Sequence, residues 1–323
     1  MIDRIDIKNF KSIALACMSL GRVYVFIGAN GSDKLNILEA KLFIKILFSL
    51  TISLFSMGTC SATANTIKVI TFNIGGDFIA NGPNQWKNRK PMMMRFLSKE
   101  APDILCVQEA LYNQLSDLQM SLQMYNMVGV GREDGRKKGD FNSIYYKIDK
   151  FEQINSGAFC LSEKPDSIGR LGWDAKYPRI ATWINLRHVE TGEIVFILNT
   201  HLDNVGKKAR VEGIRLILEK IALLSKSDNI ILTGDFNDVE TSKVHALVTQ
   251  WGLVDTYLAS PKKKGIQYSF HEFGQKEIKK RYKLDYVFTS KCFEILSANI
   301  PKERLKKGAY ISDHNPVIVK MKF

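Results

Sequence analysis

Six short apolar stretches in this sequence carry, at or near one end, residues able to bind a cation or move a proton. Asn73 follows Ile67–Phe72, and Glu109 follows Ile104–Gln108. His201 and Asp203 follow Ile194–Asn199, while Asp235 and Asn237 follow Ile230–Leu232 and Gly234. Asp285 lies inside Leu284–Phe288, and Asp313 and His314 precede Val317–Val319. One such residue at a strand end is usually a turn former or a helix cap. Six places are poorly explained by turns, and they predict strand ends converging on one rim. Carboxylate and amide oxygens with two histidines suit Mg²⁺ or Mn²⁺ better than Zn²⁺, because hard cations prefer oxygen. Cys106, Cys160 and Cys292 have no C-x-x-C spacing or close His pair beside them, which argues against zinc.

The stretches that must position these residues are short and rich in β-branched side chains, the pattern of buried strands. A helix is expected from about Lys90 to Leu97, with Pro91 tolerated in its first turn. Val211, Ile214, Leu218 and Ile221 fall at helical spacing and predict an amphipathic helix over 206–225. Residues 65–323 contain no long repeat and no Gly/Ser/Pro linker, so they read as one domain. Cys106 and Met92–Met94 read as packing residues. His188 falls in a polar turn, and His245 reads as a surface position on a helix.

The whole chain has 323 residues, 46 Lys+Arg against 33 Asp+Glu, and 45% hydrophobic residues. That composition excludes bulk disorder, and five Cys in this length exclude a disulfide scaffold. The net charge of +13 points to anionic partners. Residues 1–64 stand apart. Lys41 and Lys45 lead into the apolar run Ile46–Phe55, and Ala62-Thr63-Ala64 follows. The run is shorter than the roughly 20 residues of a spanning helix. Residues 41–64 therefore read as an export signal cleaved after Ala64, which would make the domain periplasmic or secreted. A lipidated Cys60 is the alternative, although Met57-Gly58-Thr59 is a poor lipobox.

Before that signal, Gly28-Ala29-Asn30-Gly31-Ser32-Asp33-Lys34-Leu35 resembles the P-loop of the chromosome-maintenance and recombination ATPases. Asp33 replaces the second glycine and would repel phosphate, while Leu35 replaces the hydroxyl that holds Mg²⁺. Residues 1–40 are read as a non-functional remnant, a fusion or a misassigned start. Residues 1–64 carry 7 basic and 4 acidic residues, so +10 of the charge stays with 65–323.

Within 65–323, Phe72-Asn73-Ile74, Pro102 through Glu109, Asn199-Thr200-His201-Leu202-Asp203, Gly234-Asp235-Phe236-Asn237, Leu284 through Phe288 and Ser312-Asp313-His314-Asn315-Pro316 occur in that order. Together they resemble the motifs of the endonuclease/exonuclease/phosphatase (DNase I-like) superfamily. Gly157–Glu163 and Gly172–Arg179 further resemble a bacterial secreted branch of it. The resemblance implies an α/β fold: a four-layered sandwich of two mostly antiparallel sheets packed face to face, with helices outside.

It also implies roles. Glu109 would be the main Mg²⁺ ligand, with Asp313 completing the shell and Asn73 holding metal or phosphate. Asp235 would position or deprotonate water, and Asn237 would bond a phosphate oxygen. His314, oriented by Asp285, would stabilise the pentacoordinate phosphorus or protonate, and His201 would contact the phosphate from the opposite side. Arg179, Asp203 and His271 are further candidates for substrate contact, Asp203 alternatively as a helix cap. The expected reaction is Mg²⁺- or Mn²⁺-dependent hydrolysis of a phosphoester by water, as a phosphodiesterase or nuclease. The alternatives are a phosphatase of small phosphomonoesters or lipid headgroups, and a silent phosphate-binding module. The expected partner is a phosphoester, nucleic acid among them, bound by a monomer without stable membrane insertion. Lys262–Lys264, Lys279–Lys283 and Lys302–Lys307 would steer a polyanion or simply solvate the surface.

Overall fold

Strand residues alternate between two apolar faces, and in this protein both faces are covered. The structure, a computed structural model, describes residues 4–10, 13–19, 66–78, 82–302 and 310–323. The P-loop-like stretch at 28–35 and the signal-like segment at 41–64 lie outside the described residues, as does most of the 302–307 basic cluster. The chain divides into two units, Met1–Ser61 and Ala62–Phe323. In the first, β1 (Arg4–Phe10) and β2 (Ile13–Ser19) pair as an antiparallel hairpin.

The second unit begins with β3 (Thr66–Asn73), α1 (Trp86–Glu100), β4 (Ile104–Ala110) and α2 (Tyr112–Ser121). Next come β5 (Tyr125–Val128), β6 (Phe141–Lys147), β7 (Phe151–Cys160), β8 (Ile180–His188) and β9 (Ile194–His201). α3 (Lys207–Leu224), β10 (Ile230–Asp235), α4 (Lys243–Trp251), β11 (Val254–Asp255) and α5 (Thr256–Ala259) follow. β12 (Lys263–Gly265), β13 (Asp285–Thr289), β14 (Glu294–Ile300) and β15 (Val317–Lys322) complete it.

The strands form a seven-stranded sheet in the order β12-β14-β15-β3-β4-β6-β5 and a six-stranded sheet in the order β11-β13-β10-β9-β8-β7. Most neighbours are antiparallel, but β3 runs parallel to β4, β9 to β10, and the short β12 to β14. Ile67 and Val69 of β3, Ile197 of β9 and Ile231 of β10 meet in the core between the sheets. The opposite faces pack on helices: Ile70 and Phe72 join Met93 and Phe96 of α1, and Phe196 and Leu198 join Ile214 and Ile217 of α3. The result is the expected four layers, helix–sheet–sheet–helix.

Polar residues tie the two sheets together near the parallel strand ends. Gln108 of β4 donates to Thr71 Oγ1 (2.9 Å) and to Asn199 Oδ1 of β9 (2.7 Å). Asn199 in turn donates to the carbonyls of Val107 (2.9 Å) and Ser143 (3.0 Å). Such a network satisfies amides that would otherwise be costly to bury.

Several expectations need correction. α1 starts earlier than expected, so Pro91 sits inside it rather than in its first turn. His188 is not in an exposed turn; it ends β8, buried against Phe151 and Phe323. His245 is buried rather than surface, its Nε2 3.1 Å from Asp255 Oδ2. Lys283 does not join a basic surface cluster. It is buried against Tyr286 and donates to the same Asp255 oxygen at 2.8 Å, because ion pair and ring faces together compensate its lost hydration. Among the described residues, no helix is long and apolar enough to cross a membrane.

Candidate active site

Register places most of the predicted site on two adjoining strand-end rows. In the six-stranded sheet, Asp235 of β10 pairs with His201 of β9 on one side and with Asp285 of β13 on the other. In the seven-stranded sheet, Asn73 of β3 pairs with Gln108 of β4, and the next residue is Glu109. An irregularity between Val107 and Ala110 breaks the β4–β6 ladder, and Glu109 has φ 60° there. A non-glycine residue in the left-handed region is strained, and such strain gathers at functional sites. Asn237 has the same feature, φ 48°.

Two glycines admit the close approaches. At Gly75 (φ +63°) a Cβ would lie 2.9 Å from Asp313 Oδ1. At Gly234 (φ +146°) it would lie 2.0 Å from the Thr200 carbonyl oxygen, so β9 and β10 would separate and carry His201 away from Asp235.

The side chains then converge. Asn73 Nδ2 donates to Glu109 Oε1 (3.0 Å) and Asp235 Oδ2 (3.1 Å). Asp235 Oδ2 is 3.5 Å from His201 Nε2 and 3.6 Å from His314 Nε2. His314 Nδ1 donates to Asp285 Oδ2 at 2.7 Å. Asn237 Nδ2 donates to His201 Nε2 (2.9 Å) and to the Leu202 carbonyl (2.9 Å). Glu109, Asp313, His201, Asp235, Asn237, His314 and Arg179 all line one pocket of about 470 Å³.

The two histidines are driven apart electrostatically. Burial, with Arg179 and Arg132 nearby, lowers His201 well below its ordinary value, so it is neutral. Its Nε2 accepts from Asn237, which leaves the proton on Nδ1. Burial would also lower His314, but the Asp285 and Asp235 carboxylates override it and hold His314 well above the ordinary value, as an imidazolium. Burial and the charge of Asp285 push Asp235 up to about 7, where a carboxylate can exchange a proton near neutral pH.

A divalent cation fits beside Glu109. Burial and the Asp313 carboxylate raise Glu109, the signature of like charges facing each other without a counter-ion. Asp235, Asp285 and His314 also lie close enough to share an ion, but their short His314–Asp285 hydrogen bond already fills that role. Asn73 presents its amide nitrogen to the carboxylates while its oxygen accepts from Gly75 (3.0 Å). A half-turn of that amide would offer the oxygen to a cation.

Asp203 and His271 fall outside the pocket lining. Asp203 is buried and accepts backbone N–H bonds from Lys176, Tyr177, Val205 and Gly206 as well as Arg179 Nε (3.3 Å). It clamps the segment that presents Arg179 but does not cap α3, whose first-turn N–H groups of Lys208 (3.2 Å) and Ala209 (2.6 Å) donate to Asp174. His271 is buried on the Tyr310 ring and donates its backbone N–H to the Asp313 carbonyl (3.0 Å). Sequence reasoning missed Arg132, Asp140, Asn204, Tyr177, Phe78 and Phe270, which also line the pocket. They lie on loops and isolated bridges, away from the strand-end pattern. The charge-rich loop Arg132-Glu133-Asp134 between β5 and β6 was their one signal.

Two packed sheets thus bring carboxylates, amides and two oppositely tuned histidines onto one polar rim. The sequence profile of the Endonuclease/Exonuclease/phosphatase family matches residues 70–314, and the chain belongs to that family. An endonuclease/exonuclease/phosphatase from Bacteroides vulgatus superposes with a TM-score of 0.77 at 35% identity, covering 80% of this chain and 99% of that one. A mannosyl-6-phosphatase from Bacteroides thetaiotaomicron superposes at 0.73 with 32% identity, covering 80% and 100%. Protein angel of Drosophila melanogaster is 30% identical over 180 residues, 53% of this chain and 49% of the fly protein. The chain thus spans half or less of the curated relatives it matches.

Proposed function

We propose that this protein hydrolyses a phosphoester by in-line attack of water, with Mg²⁺ or Mn²⁺ held by Glu109, Asp313 and Asn73. The observation that carries this reading is Asp235 Oδ2 lying within 3.6 Å of both histidines, one neutral and one protonated. The cation, when bound, offsets charge on the phosphate oxygens. Asp235 takes a proton from the attacking water as the new P–O bond forms. The bond to the ester oxygen breaks, and His314 gives its proton to that oxygen. Asp285 holds the imidazolium and its direction. His201 Nδ1–H donates to a non-bridging oxygen, and Asn237 holds the ring for it by donating Nδ2 to His201 Nε2.

Two substrate readings remain in play. The phosphodiesterase or nuclease reading rests on the family and on the charge of +10 on residues 65–323. Hydrolysis of a small phosphomonoester is favoured by the likeness to the mannosyl-6-phosphatase and by the pocket. That pocket is lined by Arg132 and Arg179 and, among the described residues, by no lysine of the basic clusters.

The test is turnover of plasmid, single-stranded nucleic acid, sugar phosphates and lipid headgroups with Mg²⁺, Mn²⁺ or EDTA. Activity persisting in EDTA overturns the metal reading. No turnover of any phosphoester leaves a phosphate-binding module. We further propose export directed by residues 41–64. Mass spectrometry of exported protein should find a chain beginning after Ala64, and one beginning at Met1 overturns that reading.

A further inference from the structure

Three N–H donors on the pocket wall are buried without a hydrogen-bond partner: His201 Nδ1, Arg179 Nη1 and Arg132 Nε. All three residues line the same pocket. A buried donor left unpaired costs roughly 1–3 kcal/mol, so three on one wall call for an oxygen-bearing ligand. The guanidiniums are also neighbours. Arg132 Cζ lies 5.4 Å and Arg179 Cζ 5.8 Å from the centre of the Tyr177 ring. Burial, and the nearby Arg132 charge, lower Arg179 from its ordinary value.

Other nitrogens of the same two groups are engaged. Arg132 Nη1 pairs with Asp140 Oδ2 at 2.5 Å. Arg179 Nε donates to Asp203 Oδ2 and its Nη2 to Asn204 Oδ1, both at 3.3 Å. Both forks are therefore held in place, and Arg132 Nε and Arg179 Nη1 are left without a partner.

We propose that Arg132 and Arg179, beside His201, cradle the third non-bridging oxygen of a phosphomonoester, so that this site selects monoesters over diesters. The proposal rests on the hydrolase reading above. A monoester carries three non-bridging oxygens and about −1.5 to −2 charge near pH 7. A diester has two such oxygens and one charge, and a carbon-bearing oxygen stands where the third would be. The cradle donors then stay unpaired, and unpaired buried donors discriminate strongly.

The test compares kcat/KM for p-nitrophenyl phosphate and bis(p-nitrophenyl) phosphate with Mg²⁺, in the wild type, Arg179→Met and Arg132→Gln. The monoester-to-diester ratio should fall about tenfold or more in each variant, the loss of one charge-assisted hydrogen bond. The ratio does not depend on the folded fraction, so a structural defect leaves it unchanged. An unchanged ratio overturns the cradle. Calorimetric titration with inorganic phosphate in EDTA supplies a readout without turnover. Wild type should bind at least about tenfold tighter than either variant, and equal binding also overturns the cradle. If neither ester is turned over but phosphate binding still needs both arginines, the hydrolase reading fails and the cradle stands.

Discussion

His314 Nδ1 donates to Asp285 Oδ2 at 2.7 Å, a contact between two buried side chains 29 positions apart in the sequence. It sets the protonation of the site, because the Asp285 carboxylate keeps His314 charged where burial alone would neutralise it. Asp235, across the ring at 3.6 Å, is left as the group able to accept a proton.

Replacing either partner should therefore act on rate more than on fold. Asp285→Asn keeps a hydrogen-bonding group of the same size but removes the charge that holds the imidazolium. We expect kcat to fall by about 10²–10⁴ in both Asp285→Asn and His314→Ala, the range for lost acid–base assistance. Steady-state kinetics on the best phosphoester, alongside a melting curve, checks this. Unchanged kcat in both variants would remove the pair from the reaction.

Metal removal should register as lost stability. A cation at about 100 times its Kd would stabilise the fold by about 2.7 kcal/mol, and EDTA should abolish that gain. Glu109→Gln should lose the metal-dependent rise in Tm. Without metal it should melt at or above the wild-type temperature, because a raised, half-buried carboxylate facing Asp313 has been neutralised. A Mg²⁺-dependent rise that survives in Glu109→Gln places the ion elsewhere.

The inter-sheet amides make a stability prediction independent of activity. Asn199→Ala strands the Gln108 amide and the Val107 and Ser143 carbonyls. A cost of about 2–4 kcal/mol is expected from losing several buried bonds. Asn113→Ala, whose hydrogen bond to Asp77 is exposed, should stay within about 0.5 kcal/mol. Urea unfolding with CD detection measures both, and equal costs contradict a clamp at Asn199.

Asp255 supplies a pH dependence. Burial would raise its pKa, but hydrogen bonds from His245 and Lys283 outweigh burial and leave it lowered. A carboxylate lowered on folding contributes its stability above the unfolded value, about 3.9, and loses it as pH falls through the folded value. The stability gap between wild type and Asp255→Asn should be present near neutrality and shrink as pH drops below about 4. Unfolding free energies of the two proteins across that range decide it. A gap that widens in acid reverses the sign.

Much of this was readable beforehand. Each polar residue at a strand end was marked by position, since a short apolar run rich in β-branched residues and ended by Asn, Asp, Glu or His declares both the strand and its end. Hence Asn73, Glu109, His201, Asp235, Asn237, Asp285, Asp313 and His314 could be named together. The four layers followed from the resemblance those motifs carry, and the burial of Ile67 and Val69 on one face with Ile70 and Phe72 on the other agrees.

Local sequence determined which residue types stand at strand ends and which stretches become strands, because apolar periodicity is a property of neighbouring residues. Only the tertiary structure decided which charges meet. His188, His245 and Lys283 look solvent-facing in sequence, yet distant elements bury them. The two histidines share one residue type but take opposite protonation states, because Arg179 and Arg132 face one while Asp285 and Asp235 face the other. Among the described residues, Lys262–Lys264, Lys279 and Lys280 stand exposed, while Arg132 and Arg179 line the pocket. The arginines Arg132 and Arg179 reach one pocket wall from separate loops, a placement set by long-range packing and ion pairing with Asp140 and Asp203.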